Sequence, residues 1–121
     1  MKTEIITFLE EEQEITFIIG TSKEDNDQVI NKGNPGDIWF HARGISSCHV
    51  LAILSNLEIE LDKKETKQII KKGAELVRQH TAKLRSVNRV EIIYTDISHV
   101  EKTKHKGCVN IDPNHQKTIR I

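Results

Sequence analysis

Two apolar runs on either side of a short polar break constrain this chain more than any other feature. Asp37-Ile38-Trp39-Phe40-His41-Ala42-Arg43 is followed by Gly44-Ile45-Ser46-Ser47 and then by Cys48-His49-Val50-Leu51-Ala52-Ile53-Leu54. β-Branched and aromatic residues around a Gly/Ser break predict two strands joined by a tight connection. Alternate side chains of a strand point to opposite faces, so Ile38, Phe40 and Ala42 share an apolar face suited to a core. Trp39, His41 and Arg43 share the other: an indole, an imidazole and a guanidinium in a row. A base can stack on the first two, and a phosphate can be held by the third. The place of His49 is open, because one register sets it opposite Ala42 and another beside His41.

Before this stretch, Thr3–Phe8 and Glu14–Ile19 alternate and are rich in Ile, Thr and Phe, with Glu10-Glu11-Glu12-Gln13 between them. That pattern predicts a hairpin over residues 1–19 with a solvated acidic turn. Thr21 to Lys32 is a short helix, started by Ser22 or Asp25 as its cap, and Gly33-Asn34-Pro35-Gly36 breaks the chain. After it, Ser55 to Leu61 reads as a loop, and Asp62 with Glu65 forms an Asp-x-x-Glu capping box. Ile69, Ile70, Gly73, Leu76, Val77, His80 and Leu84 recur at helical spacing, which predicts one long helix over 62–85. Gly73 in its middle costs about 1 kcal/mol against Ala, and implies a backbone packed closely against it. Over 90–121, Val90–Tyr94, Cys108–Ile111 and Lys117–Ile121 read as closing strands, with a loop from Thr95 to Lys106. The order β-β-α-β-β-α-β-β-β makes an α+β fold: a mostly antiparallel sheet, one long helix and one short helix, expected as a single domain over 1–121.

Net charge is zero, but its distribution is not even. Residues 1–27 hold two lysines against eight acids, while residues 63–85 hold eight Lys/Arg against Glu65 and Glu75. A polyanion responds to the local field rather than to the sum. The basic features are a loop of Lys102, Lys104, His105 and Lys106, and a helix face of Lys64, Lys67, Lys71, Lys72 and Arg78, with Lys83 on the same face. Such a face also serves solubility alone. No apolar run approaches the roughly 20 residues of a membrane-spanning helix, and the expected location is the cytoplasm.

Catalytic and metal signatures are missing at the level of spacing. His41, His49, His99, His105, His115, Cys48 and Cys108 supply ligand types, but no His-x-x-x-His or C-x-x-C pattern joins them, so neither a metal nor a disulfide is expected. Ser46, Ser47 and Cys48 lie near His49 without the Gly-x-Ser-x-Gly turn that exposes a nucleophile. Gly33-Asn34-Pro35-Gly36 has Pro where a phosphate loop needs an amide. No cofactor is implied.

The central stretch resembles the NFACT-R domain, the RNA-binding-type module of ribosome quality-control factors. Asp37-Ile38-Trp39-Phe40-His41 and Ser47-Cys48-His49-Val50 look like that family's D-[IL]-W-[FL]-H and S-[SA]-H-V signatures. Asn26-Asp27 after Gly20 looks like its upstream element, and His99-Val100-x-Lys102, Gly107-x-Val109 and Lys117-Thr118 match its closing strands. The likeness runs from about Gly20 to Ile121. The chain departs from the family at Gly44 and Ser46, and in the shorter loop Lys102 to Gly107. The expectation is of this module alone, without the family's N-terminal, helix–hairpin–helix and coiled-coil parts. For full-length factors the resemblance implies binding to tRNA and the large ribosomal subunit, with tails added to stalled chains.

Three readings follow. The first is a non-enzymatic RNA-binding module for tRNA or ribosomal RNA in ribosome-associated quality control. Its contacts would be Trp39, His41, Arg43, His49, Lys102, Lys104, His105 and Lys106, with Asn26, Asp27, Asp37 and Ser47 as family-motif residues. The second is a module that docks on ribosomal or other proteins. The third is a hydrolase or metal enzyme built on His41, His49 and Cys48.

Overall fold

The computed structural model describes residues 1–8, 13–57 and 60–121. Residues 10–12 of the expected acidic turn over 10–13, and residues 58 and 59 of the expected loop, lie outside them. Eight strands and two helices follow in the order β1 (Lys2–Phe8), β2 (Gln13–Gly20), α1 (Lys23–Lys32), β3 (Ile38–Ala42), β4 (His49–Ile53), α2 (Lys63–Gln79), β5 (Glu91–Asp96), β6 (Val100–Lys102), β7 (Val109–Ile111) and β8 (Lys117–Arg120). The expected α+β class is what forms. Six strands make one antiparallel sheet in the order β1-β2-β4-β3-β5-β8, while β6 and β7 form a separate hairpin.

The signature strands lie at the centre of the sheet, and their alternation divides two cores. Phe40 and Ala42 of β3 join Ile15, Phe17, Ile19, Val50 and Ala52 on one face, covered by Ile69, Ala74, Leu76 and Val77 of α2. Trp39, Leu51 and Ile93 point the other way and are covered by Val29 of α1 together with Ile97 and Val100. The centre of the sheet is therefore buried on both sides, between α2 on one and α1 with the β6–β7 hairpin on the other, while the edge strands β1 and β8 stay largely exposed.

Local sequence accounts for both helix starts. Ser22 caps α1, its side chain accepting the Asp25 N–H at 3.1 Å. Asp62 accepts the Glu65 N–H at 2.7 Å, and Glu65 accepts the Asp62 N–H at 3.1 Å, closing the capping box. The far end of α2 corrects the expected 62–85 helix. It stops at Gln79, and a 3-10 turn over Ala82–Leu84 follows. Thr81 sits between them in extended conformation, its hydroxyl accepting the Cys48 N–H at 3.1 Å. That tie to the β3–β4 connection outweighs the helical periodicity of His80 and Leu84.

Two further expectations change. The stretch expected as a loop from Thr95 to Lys106 contains β6, a three-residue strand whose only buried apolar residue is Val100, too short a pattern to be legible. The close neighbour of Gly73 is a ring rather than a backbone. A Cβ there would overlap the Phe40 ring, so the absence of a side chain makes room for the aromatic ring under α2.

Candidate nucleic-acid interface

The site is built where β3 ends and β4 begins. The β3–β4 register pairs Ile38 with Ala52, Trp39 with Leu51 and Phe40 with Val50. Continued by one pair, it sets His49 beside His41, which decides between the two registers left open by the sequence. The two imidazoles meet edge to face with centroids 5.0 Å apart, and His41 stacks parallel on Trp39 at 5.6 Å.

The indole itself is not a platform. Trp39 is fully buried, packed between the sheet and α1, so no base can stack on it. Its Nε1–H donates to Nδ1 of His49 at 3.2 Å. His49 is also buried, and its backbone N–H donates to Oδ1 of Asn26 at 3.0 Å. Burial, with the neighbouring His41, pushes the His49 pKa down to about 3, against the pull of the Gly107 backbone and Asp27. A neutral imidazole follows at physiological pH, and that is the form able to accept the indole proton. Trp39 and His49 are thus interior residues, bonded to each other and to α1. The reason is the second layer: a strand's outer row is exposed only when nothing covers that face.

Other motif residues are tied down in the same way. Asp37 is completely buried, and its carboxylate accepts three backbone N–H groups: Asn34 at 2.9 Å and Leu54 and Ser55 at 2.8 Å. Ser47 accepts the Ala42 N–H and donates to the Cys48 carbonyl, strapping the connection between the strands. Asp27 pairs with Lys102 at 3.1 Å, so this lysine is committed to α1. Cys48 is buried, and burial raises its thiol pKa, the reverse of an activated nucleophile.

What remains available surrounds a cleft of about 400 Å³ lined by Lys23, Asn26, Ser46, Ser47, Thr81 and Lys83, among others. His41 is half-buried against His49, outside the lining of the cleft; burial lowers its pKa, the Ala42 backbone opposes this, and the charge of Lys83 lowers it further. Arg43 follows at the end of β3, 59% exposed at its side chain while holding Glu91 at 3.2 Å. On the α1 side, a Cβ on Gly107 would lie 3.3 Å from Cα of Lys23, so the β6–β7 turn rests against the cleft wall. That turn carries Lys104, His105 and Lys106, all exposed. Lys23 and Lys83 line the cleft, and the turn that rests on Lys23 extends this to a basic rim, with Arg43 held apart on Glu91.

The lysine-rich helix is not part of it. Lys64, Lys67 and Lys71 are exposed on α2, across the sheet from the β6–β7 hairpin, and Lys72 pairs with Glu4 at 3.2 Å. Lys83 belongs instead to the turn after α2, because the helix ends early. Lys23 was invisible as a site residue in the sequence, where it is one of two lysines in an acidic stretch. Only the packing of Gly107 on its backbone marks it out.

The model of the NFACT protein RNA binding domain matches residues 5–112. This chain belongs to that family. Coiled-coil domain-containing protein 25 of mouse is 32% identical over 106 residues, which cover 88% of this chain and 50% of the relative. The zebrafish protein of that name is 31% identical over 107 residues, with the same coverage. The chain therefore spans about half the length of these curated relatives. Among solved structures, the C-terminal part of the fibronectin/fibrinogen-binding protein from Streptococcus suis superposes with a TM-score of 0.74 at 25% identity, covering all of this chain and 45% of that one. No helix among the described residues is long and apolar enough to cross a membrane.

Proposed function

We propose that this chain is a non-enzymatic module that binds structured RNA, tRNA or large-subunit ribosomal RNA, in ribosome-associated quality control in the cytoplasm. The observation that carries the reading is a cleft walled by hydroxyls and lined by Lys23 and Lys83, with the basic turn of Lys104 and Lys106 against Lys23, in a chain of an RNA-binding family. Lysines neutralise phosphates and supply affinity, while an imidazole and hydroxyls read unpaired base edges or 2′-hydroxyls. Trp39, His49 and Ser47 hold the β3–β4 ends beside the cleft, and Asp37 ties the opposite ends of the same strands, so the family signature acts mainly through position.

The test is a filter-binding titration of two unrelated RNAs at three salt concentrations. Replacing Lys23, Lys83, Lys104 and Lys106 by Gln should weaken both RNAs and reduce the slope of log affinity against log salt by up to about 3. Replacing Lys64, Lys67 and Lys71 by Gln should leave affinity and slope near wild type. His41→Ala should lose discrimination between the RNAs while the slope stays. Equal loss from both lysine sets would reduce the rim to general electrostatics. Wild-type binding by the rim variant would move the site elsewhere and favour docking on a protein.

A further inference from the structure

A second cluster lies where the β6–β7 hairpin meets the main sheet, away from the cleft. His99 ends the turn before β6, Asp112 follows β7, and His115 sits in the turn before β8. Their backbones are tied together: the Asp112 N–H donates to the His99 carbonyl at 3.2 Å and the His115 N–H to the Asp112 carbonyl at 3.1 Å. The Thr95 hydroxyl donates to the His115 carbonyl at 2.8 Å, fastening the turn to β5. The imidazoles are stacked with centroids 3.8 Å apart and planes within 1°. His115 Nε2 lies 3.6 Å from Asp112 Oδ2, and one ligand atom from each of the three residues lies within 4.8 Å of the other two.

We propose that His99, Asp112 and His115 form a binding site for a divalent transition-metal ion of the zinc type. Zinc holds imidazole nitrogen and carboxylate oxygen at about 2.0–2.2 Å, which places tetrahedral ligand atoms about 3.3–3.5 Å apart. The three side chains reach that spacing by closing about 1 Å, with the rings tilting out of their stack. His115 and Asp112 are 52% and 42% exposed, so their side chains have room to turn. Two imidazoles with one carboxylate suit zinc, nickel or copper and disfavour magnesium and calcium, which take oxygen shells. Three protein ligands leave the fourth position to water or a partner group. A cavity of about 270 Å³, lined by both histidines with Tyr94, Thr95 and Lys117, has space for it. Because the ligands come from both sides of the β6–β7 hairpin, a bound ion would also clamp it to the main sheet.

The experiment is a calorimetric titration of the chelator-treated full chain with zinc, repeated with magnesium, alongside cobalt absorption and thermal melts. One zinc per chain should bind, cobalt should give the visible bands of a tetrahedral site, and zinc should raise the melting midpoint. Magnesium should do none of these. His99→Ala and His115→Ala should each weaken zinc at least tenfold and lose the rise in midpoint, whereas Cys108→Ser should keep both. His115 is exposed at the surface, so its variant tests the site even where the His99 variant folds poorly. Absence of zinc binding, undiminished binding by the His115 variant, or loss of binding in Cys108→Ser would overturn the proposal.

Discussion

The two faces of β3 solve the same burial problem with different chemistry. Toward α2, Phe40 and Ala42 enter an apolar layer in which the Phe40 ring fills the space a side chain at Gly73 would take. Toward α1, Trp39 enters a layer threaded with polar groups: its indole bonds His49, and His49 bonds Asn26 of the covering helix. An apolar layer gains from area buried and tolerates small shifts. A hydrogen-bonded one fails if its partners move, since each unpaired buried donor costs about 1–3 kcal/mol. The polar side thus sets where the strand ends stand, and the rim is attached to those ends.

Among the polar ties of these strands, the largest loss should come from Asp37, which fastens their ends away from the cleft. Asp37→Ala strips three part-buried N–H groups of their charged acceptor and should cost about 3 kcal/mol in urea denaturation. A loss below about 1 kcal/mol would show that water replaces the carboxylate there.

His49→Phe should cost about 2 kcal/mol, because the Trp39 N–H is left unpaired in a site where the ring itself still fits. It should also change the pH profile. The folded-state pKa of His49 is pushed to about 3, below the roughly 6.5 of an unfolded chain. The unfolded state therefore takes up the proton first. Its contribution is complete above about pH 6.5 and is lost as pH falls toward 3. Wild-type stability should drop across that window, and His49→Phe should flatten the drop. Parallel profiles for the two proteins would remove His49 from the pH response.

On the apolar side, Gly73→Ala sets a helix-propensity gain of about 1 kcal/mol against overlap with the Phe40 ring. Overpacking of a filled core costs about 1–3 kcal/mol, so the net should be a loss of about 1 kcal/mol. A stabilised variant would show that the apolar layer shifts to make room.

Smallest of all, Asp62→Ala removes one half of the capping box at the start of α2 and should cost about 1 kcal/mol. RNA affinity should not change, since this helix start lies far along α2 from the cleft. An unchanged melting midpoint would mean that the remaining Glu65 contact suffices.

The site was less legible than the fold for a definite reason. Alternation along Ile38 to Ala42 announces two faces, but one sequence carries no mark of which face is later covered. Trp39, His41 and Arg43 looked like one row; packing buries the first, half-buries the second and leaves the third exposed on Glu91. His99 and His115 stand sixteen residues apart with no ligand motif, and the β6–β7 hairpin closes that gap.

By itself, then, the sequence determined what depends on neighbours along the chain. The strand alternation, the Ser22 and Asp62 caps and the break at Gly33-Asn34-Pro35-Gly36 all follow from a few consecutive residues. Its motif order also carried the family, because separated signatures in the right order survive where single residues do not. Only the tertiary structure decided that Asp37 and His49 work from the interior, that α2 stops at Gln79, and that Lys23 and Lys83 face one cleft while the helix lysines face away. Those outcomes depend on which elements cover one another, and a hydrogen bond such as Cys48 to Thr81 joins residues 33 positions apart. Local periodicity has no access to partners at that separation.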